Sequence, residues 1–197
     1  DAAMLEEGKS NYLCSVYYEP EEGKGGVAFC DISTGEFCVA SYETDAVNHI
    51  LNELGRFEPR EVIMNKAAAD TKRIPEFAAK RLHSMLEMGG KDYEFRDCSL
   101  RIRKQFDVQK LTEINMEGRP LAVCAAGALM KYLDETQKLD MGHIRSIEFL
   151  SEEKFMELDW ATRRSLELTE AQRTGEKRGS LLWVLDKTRT PMGGRML

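Results

Sequence analysis

The most constraining feature of this chain is a change of hydrophobic period just after residue 42. Before it lie three short runs rich in aromatic and β-branched residues: NYLCSVYY (Asn11–Tyr18), VAFCDIS (27–33) and GEFCVASY (35–42). The polar stretch EPEEGKGG separates the first pair, and a tight Ser33-Thr34-Gly35 turn separates the second. Strands joined by connections this short pair with their neighbours antiparallel, so the spacing predicts a three-stranded meander. After the change, Thr44 is a good N-cap, Val47, Ile50, Leu51 and Leu54 fall on one helical face, and Gly55 follows as a stop signal.

Strands and helices then alternate. EVIMN (61–65) reads as a short apolar strand. Pro75 opens a helix carrying Ala78, Leu82, Met85 and Leu86, closed by Gly89 and Gly90. DYEF (92–95) reads as a last strand, and Ser99 starts a helix through LRIRKQF (100–106). The resulting order is β-β-β-α-β-α-β-α. Helical crossovers make the later strands pair in parallel. The expectation for residues 1–117 is therefore an α/β domain with a mixed five-stranded sheet and flanking helices, the element order of an RNase H-like fold.

From Gly118 the texture turns helical. Pro120 begins LAVCAAGALMKYLDETQK, in which Leu121, Cys124, Ala125, Ala128, Leu129 and Tyr132 form one stripe. SIEFLSEEKFMEL (146–158) has some β character; Asp159 then caps WATRRSLELTEAQR, and Ser180 caps LLWVL. Residues 118–197 thus read as a partial all-α segment with a domain boundary near Gly118. Trp160, Leu182, Trp183 and Leu185 call for partners that this segment offers sparsely. The last residues, TPMGGRML, start a helix at Thr190 and Pro191 too short to stand alone, and the chain opens at Asp1 without an initiator methionine. The sequence predicts a piece of a longer protein.

Charge and composition narrow the function. The 42% hydrophobic content can bury one good core or two small ones, with no apolar run long enough to span a membrane. Residues 1–117 carry 22 acids against 15 bases, while residues 118–197 carry 12 against 13. Neither balance suits a grip on phosphate backbones, so a protein partner is the better expectation. The one basic cluster, Arg101, Arg103 and Lys104 in LRIRKQF, is either a solvated helix face or a docking patch for an acidic partner.

A search for chemistry finds no catalytic constellation. A metal-dependent nuclease needs carboxylates converging on two ions about 4 Å apart, and the first strand, Asn11–Tyr18, holds no acid. Asp31 and Glu36 flank the second hairpin, where turn hydrogen bonding and solvent exposure are the simpler roles. The pairs Gly25-Gly26, Gly89-Gly90 and Gly193-Gly194 lack the frame of a phosphate loop. His49, His83 and His143 are far apart in sequence, and Cys14, Cys30, Cys38, Cys98 and Cys124 show no zinc spacing. The cysteines read as small buried hydrophobes, with a Cys30–Cys38 disulfide left open by their closeness across a hairpin. No catalytic, cofactor-binding or metal-ligating residue is expected.

NYLCSVYY with VAFCDISTGEF, RPLAVCAAGALMKYLDETQ, LDWATRRSLELTE and LLWVLDKTRTPMGGRML, in that order, resemble the MutS family of DNA mismatch-repair proteins over nearly the whole chain. The resemblance implies an RNase H-like connector domain (1–117) followed by the truncated beginning of the helical core, or lever, domain (118–197). It implies a parent protein that binds mispaired DNA as a homodimer, hydrolyses ATP with Mg, and recruits MutL. The mismatch-reading, clamp and ATPase parts are not among these residues, so the fragment itself is expected to hold no cofactor and no catalytic site. Its implied role is to transmit motion and offer a surface to MutL, in a bacterial cytoplasm and at the nucleoid through the parent. Two other readings stay open: an RNase H-like metal-dependent nuclease, and a stand-alone protein-interaction adaptor.

Overall fold

The computed structural model describes residues 11–137, 141–150 and Leu181. Residues Ser10–Glu152 form one compact unit. Its meander consists of β1 (Tyr12–Glu19), β2 (Lys24–Asp31) and β3 (Phe37–Tyr42), antiparallel with Cys14 opposite Phe29 and Phe29 opposite Cys38. Helix α1 (Ala46–Phe57) then crosses over to β4 (Glu61–Met64), which lies parallel to β1 with Cys14 opposite Val62. The short helices α2 (Lys66–Asp70) and α3 (Arg73–Glu76) lead to β5 (Met85–Met88), parallel to β4.

Two expectations fail in this stretch. Met85 and Leu86 are not helical: α3 passes into a π-helical turn (Phe77–Arg81), and the chain reverses at His83, whose φ of 56° ends the helix. Met85–Met88 is therefore the fifth strand. DYEF is not a strand; Gly90–Tyr93 forms a 3₁₀ turn that feeds α4 (Phe95–Gln105). The short run Met85–Met88 fits either period, because the glycines that follow it suit either element. Gly55 likewise stops nothing. It is buried inside α1, and Glu58 ends the helix at φ 47° with its N–H bonded to the Leu54 carbonyl, just before Pro59.

Helix α5 (Pro120–Tyr132) closes the unit, with Pro120 at its first position as expected. It is not the start of a separate helical part. Leu121 through Met130 are all buried, because the sheet lies on one side and α4 with Met116 on the other. The expected single stripe is thus widened to the whole surface of the helix, and Gly118 is no boundary of this unit. After α5 the chain returns to the sheet as β6 (Glu148–Phe149), parallel to β3 with Cys38 opposite Glu148. The expected β character of SIEFL becomes a sixth strand, so the five-stranded expectation is corrected to a mixed six-stranded sheet, order β5-β4-β1-β2-β3-β6. The helices expected from Asp159 onward, with Trp160, Leu182, Trp183 and Leu185, lie outside the described residues.

Each sheet face has its own core. On the α5 face, Leu13, Ala28, Cys30, Phe37 and Val39 meet Ala122, Ala125, Ala126 and Leu129. On the other, Phe29, Val16, Val27 and Val62 meet Ile50 and Leu54 of α1 and Ile74 of α3. Phe29 stacks on Phe57 at 4.2 Å between ring centres. The end of β1 is fastened to α2 by Asn65, which accepts from the Tyr18 and Ala68 N–H groups and donates to the Tyr18 carbonyl.

Candidate partner-binding face

The centre of the sheet is built for packing. Strand β1 runs one residue further than expected, to Glu19, whose carboxylate accepts from the Tyr17 hydroxyl at 2.9 Å. At mid-strand, buried Ser15 donates to the Tyr93 hydroxyl at 3.1 Å, and Tyr93 stacks on Tyr17. Burial raises the Tyr93 hydroxyl far above its ordinary range, so it stays protonated. Asp31 and Glu36 make the expected turn hydrogen bonds, but the expected exposure fails for Asp31, which is fully buried at the end of β2. The Asp31 carboxylate accepts from the Ser33 N–H at 2.8 Å and from the Ser33 hydroxyl, while its carbonyl takes the Gly35 N–H. Glu36 accepts from the Tyr12 hydroxyl at 2.8 Å, tying the β2–β3 turn to β1.

Directly paired residues share a sheet face, so the register decides the cysteine question. Cys30 pairs with Phe37 on the α5 face, and Cys38 pairs with Phe29 on the α1 face. The two thiols point apart and form no disulfide; all five cysteines are free and buried. The histidines are not brought together either: His49 stacks on Tyr42, whereas His83 and His143 are exposed. The structure does gather Glu36, Cys38 and Glu148, with ligand atoms within 4.8 Å of one another. Sequence reasoning missed this group because β6 brings in Glu148 from far along the chain. Burial pushes the Cys38 thiol up to about 12, and it donates to Glu36 instead of offering a thiolate.

The basic cluster sits on α4, and its three members do different things. Arg101 reaches across to α5 and donates to the Gly127 carbonyl at 2.9 Å. Gly127 is where the two helices touch: a β-carbon there would lie 2.4 Å from that of Cys98. Arg103 donates to the Gln109 carbonyl at 3.1 Å and so holds the loop after α4. Lys104 is exposed. One turn before it on the outer side of α4 stands Leu100, 58% exposed, and Phe95 at the start of the helix is 46% exposed. The i, i+4 spacing of Arg96, Leu100 and Lys104 is audible in the sequence once the helix is started at Phe95 instead of Ser99. The face as built is an apolar centre, Leu100, flanked by Arg96 and Lys104, with Arg101 and Arg103 partly withdrawn into the fold.

The model of MutS domain II matches residues 11–145, the whole of this sheet-and-helix body through α5, and the model of MutS domain III matches residues 161–197. The chain belongs to the MutS family. It is similar to the DNA mismatch repair protein MutS of Acetivibrio thermocellus, 37% identical over 199 residues that cover all of this chain and 22% of that protein. The protein of the same name from Clostridium novyi is 37% identical over 197 residues, covering all of this chain and 21% of that one. That of Thermosynechococcus vestitus is 33% identical over 208 residues, covering all of this chain and 23% of that one. The chain spans about a fifth of the length of these curated relatives. The MutS resemblance carried by DISTGEF, ATRRSLELTE and TPMGGRML is borne out. Among the described residues no helix is long and apolar enough to cross a membrane.

Proposed function

We propose that this chain is the connector and the opening of the core domain of a DNA mismatch-repair protein, and that its own work is mechanical. In this reading the parent recognises mismatched DNA in an ATP- and Mg-dependent cycle as a homodimer, through parts outside these residues, in the cytoplasm and at the nucleoid. The observation that carries the proposal is the paired match to MutS domains II and III in the order they occupy here. The division between the two parts then falls after β6, since α5 is needed to cover the sheet. An RNase H-like ancestry of the first part is supported by its strand order, β5-β4-β1-β2-β3, with the meander antiparallel and β4 and β5 parallel to β1. A nuclease reading has less support: Ser15, not a carboxylate, occupies the buried middle of β1.

A body clasped on both sheet faces moves as a unit, so a displacement imposed at one end reaches the other undiminished. The outer side of α4, with Leu100, Arg96 and Lys104, is the surface proposed for MutL. An NMR titration of the chain with its cognate MutL tests this: shifts centred on Leu100 and Lys104 are expected, and shifts confined to α1 and α3 overturn the patch. Calorimetry with Mg²⁺ and Mn²⁺ tests the nuclease reading, which predicts saturable binding; the relay reading predicts none. An adaptor unrelated to repair would leave a strain lacking the gene with a normal mutation rate.

A further inference from the structure

Strand β5 ends the sheet, and all four of its residues, Met85, Leu86, Glu87 and Met88, are exposed. Met85 is 72% exposed and Met88 52%. Long apolar side chains on a bare edge are what sheets ordinarily avoid, because such an edge templates another strand. The hydrogen bonding fixes which groups are offered. The N–H groups of Met85 and Gly89 go inward to Arg60 and Met64, so by alternation the N–H and C=O of Leu86 and Met88 point outward. Among the described residues no strand pairs with them.

The charge on this edge selects the occupant. Glu87 and Glu61 lie on the same sheet face, where the Tyr132 hydroxyl donates to Glu61 at 3.0 Å and stands beside Glu87. A second copy of β5 laid antiparallel with the outward Leu86 of each opposite Met88 of the other would set Glu87 against Glu87, and like charges directly opposite are destabilising. An extended segment with Lys or Arg opposite Glu87 and apolar neighbours meets both requirements. We infer that the β5 edge is a docking site for an extended, alternating apolar and basic segment of another protein, added as a further strand. This goes beyond the relay reading and uses a surface separate from α4.

The test is a titration of the ¹⁵N-labelled chain with two synthetic nonapeptides, one alternating Val and Lys, the other Val and Glu. The basic peptide is expected to shift and protect the Leu86 and Met88 amides and to bind about fivefold tighter than the acidic one. Met88→Pro removes an outward donor and leaves the bonds to β4 intact, and should weaken the basic peptide about tenfold. Glu87→Lys keeps the backbone and should invert the preference between peptides, which guards against a proline variant that misfolds. Equal binding of both peptides, shifts elsewhere, or insensitivity to both substitutions would overturn the inference. So would a concentration-dependent dimer abolished by Met88→Pro.

Discussion

The two faces of the sheet reach the same dryness by opposite means. On the α1 face bulk fills the space: Phe29, Ile50, Leu54, Met64 and Ile74 are all fully buried. On the α5 face smallness does: Ala122, Ala125, Ala126, Gly127 and Ala128 let the helix backbone sink toward the sheet and α4. Gly26 shows how far, since a β-carbon there would stand 2.3 Å from the Leu121 carbonyl oxygen. The first face depends on volume and fails by losing it. The second depends on approach and fails by gaining it.

The broadest way to stress both faces is alkali. Burial pushes the Cys30, Cys38 and Cys124 thiols up to about 12 and Cys98 up to about 11, and raises Cys14 as well. The unfolded chain releases those protons near pH 8.5 and the folded chain does not. The stability they contribute is therefore whole below about pH 8.5 and falls as pH rises toward 11–12, by about 1.4 kcal/mol per pH unit for each thiol. Thermal melts from pH 7 to 10 should show a steep decline in Tm above pH 8.5. A flat profile would mean the thiols already reach solvent.

Next comes a direct contrast of the faces by urea unfolding. Leu54→Ala, which empties volume on the α1 face, should cost about 3 kcal/mol. Gly127→Ala, on the α5 side, should cost about 2 kcal/mol, although helix propensity alone would favour it by about 1 kcal/mol. A stabilised Gly127→Ala protein would erase the distinction drawn here. Tyr93→Phe removes the acceptor of the Ser15 hydroxyl on the α5 face and should cost about 1 kcal/mol. Smallest of all, Lys104→Ala should change stability by less than about 0.5 kcal/mol, while Arg101→Ala, which releases the Gly127 carbonyl, should cost about 1 kcal/mol.

These contrasts also mark what the sequence could say. The meander was legible because Asn11–Tyr42 alternates strand-like runs with turns; the turn hydrogen bonds of Asp31 and Glu36 were legible too, but not the full burial of Asp31. Helix α1 was legible from Val47, Ile50, Leu51 and Leu54. Met85–Met88 was not, since three apolar residues around Glu87 after a helix continue its period as readily as they start a strand; tertiary pairing with β4 decided. The α5 helix was seen but assigned to a separate part, because Ala and Gly say that something comes close without saying what. The basic patch was found by charge alone, yet that measure could not tell Arg101, spent on a carbonyl, from Lys104, which faces water.

The late position of α5 has a consequence for how the protein is made. Its meander leaves the ribosome complete at Tyr42, but the helix that covers one whole side is finished only at Tyr132. At about 5–20 residues per second, the nascent strands wait roughly 5–20 s with Leu13, Ala28, Phe37 and Val39 bare. During that interval the half-clad sheet is a natural client for whatever shields apolar surface in the cell, and a pause in translation before Pro120 would prolong the exposure.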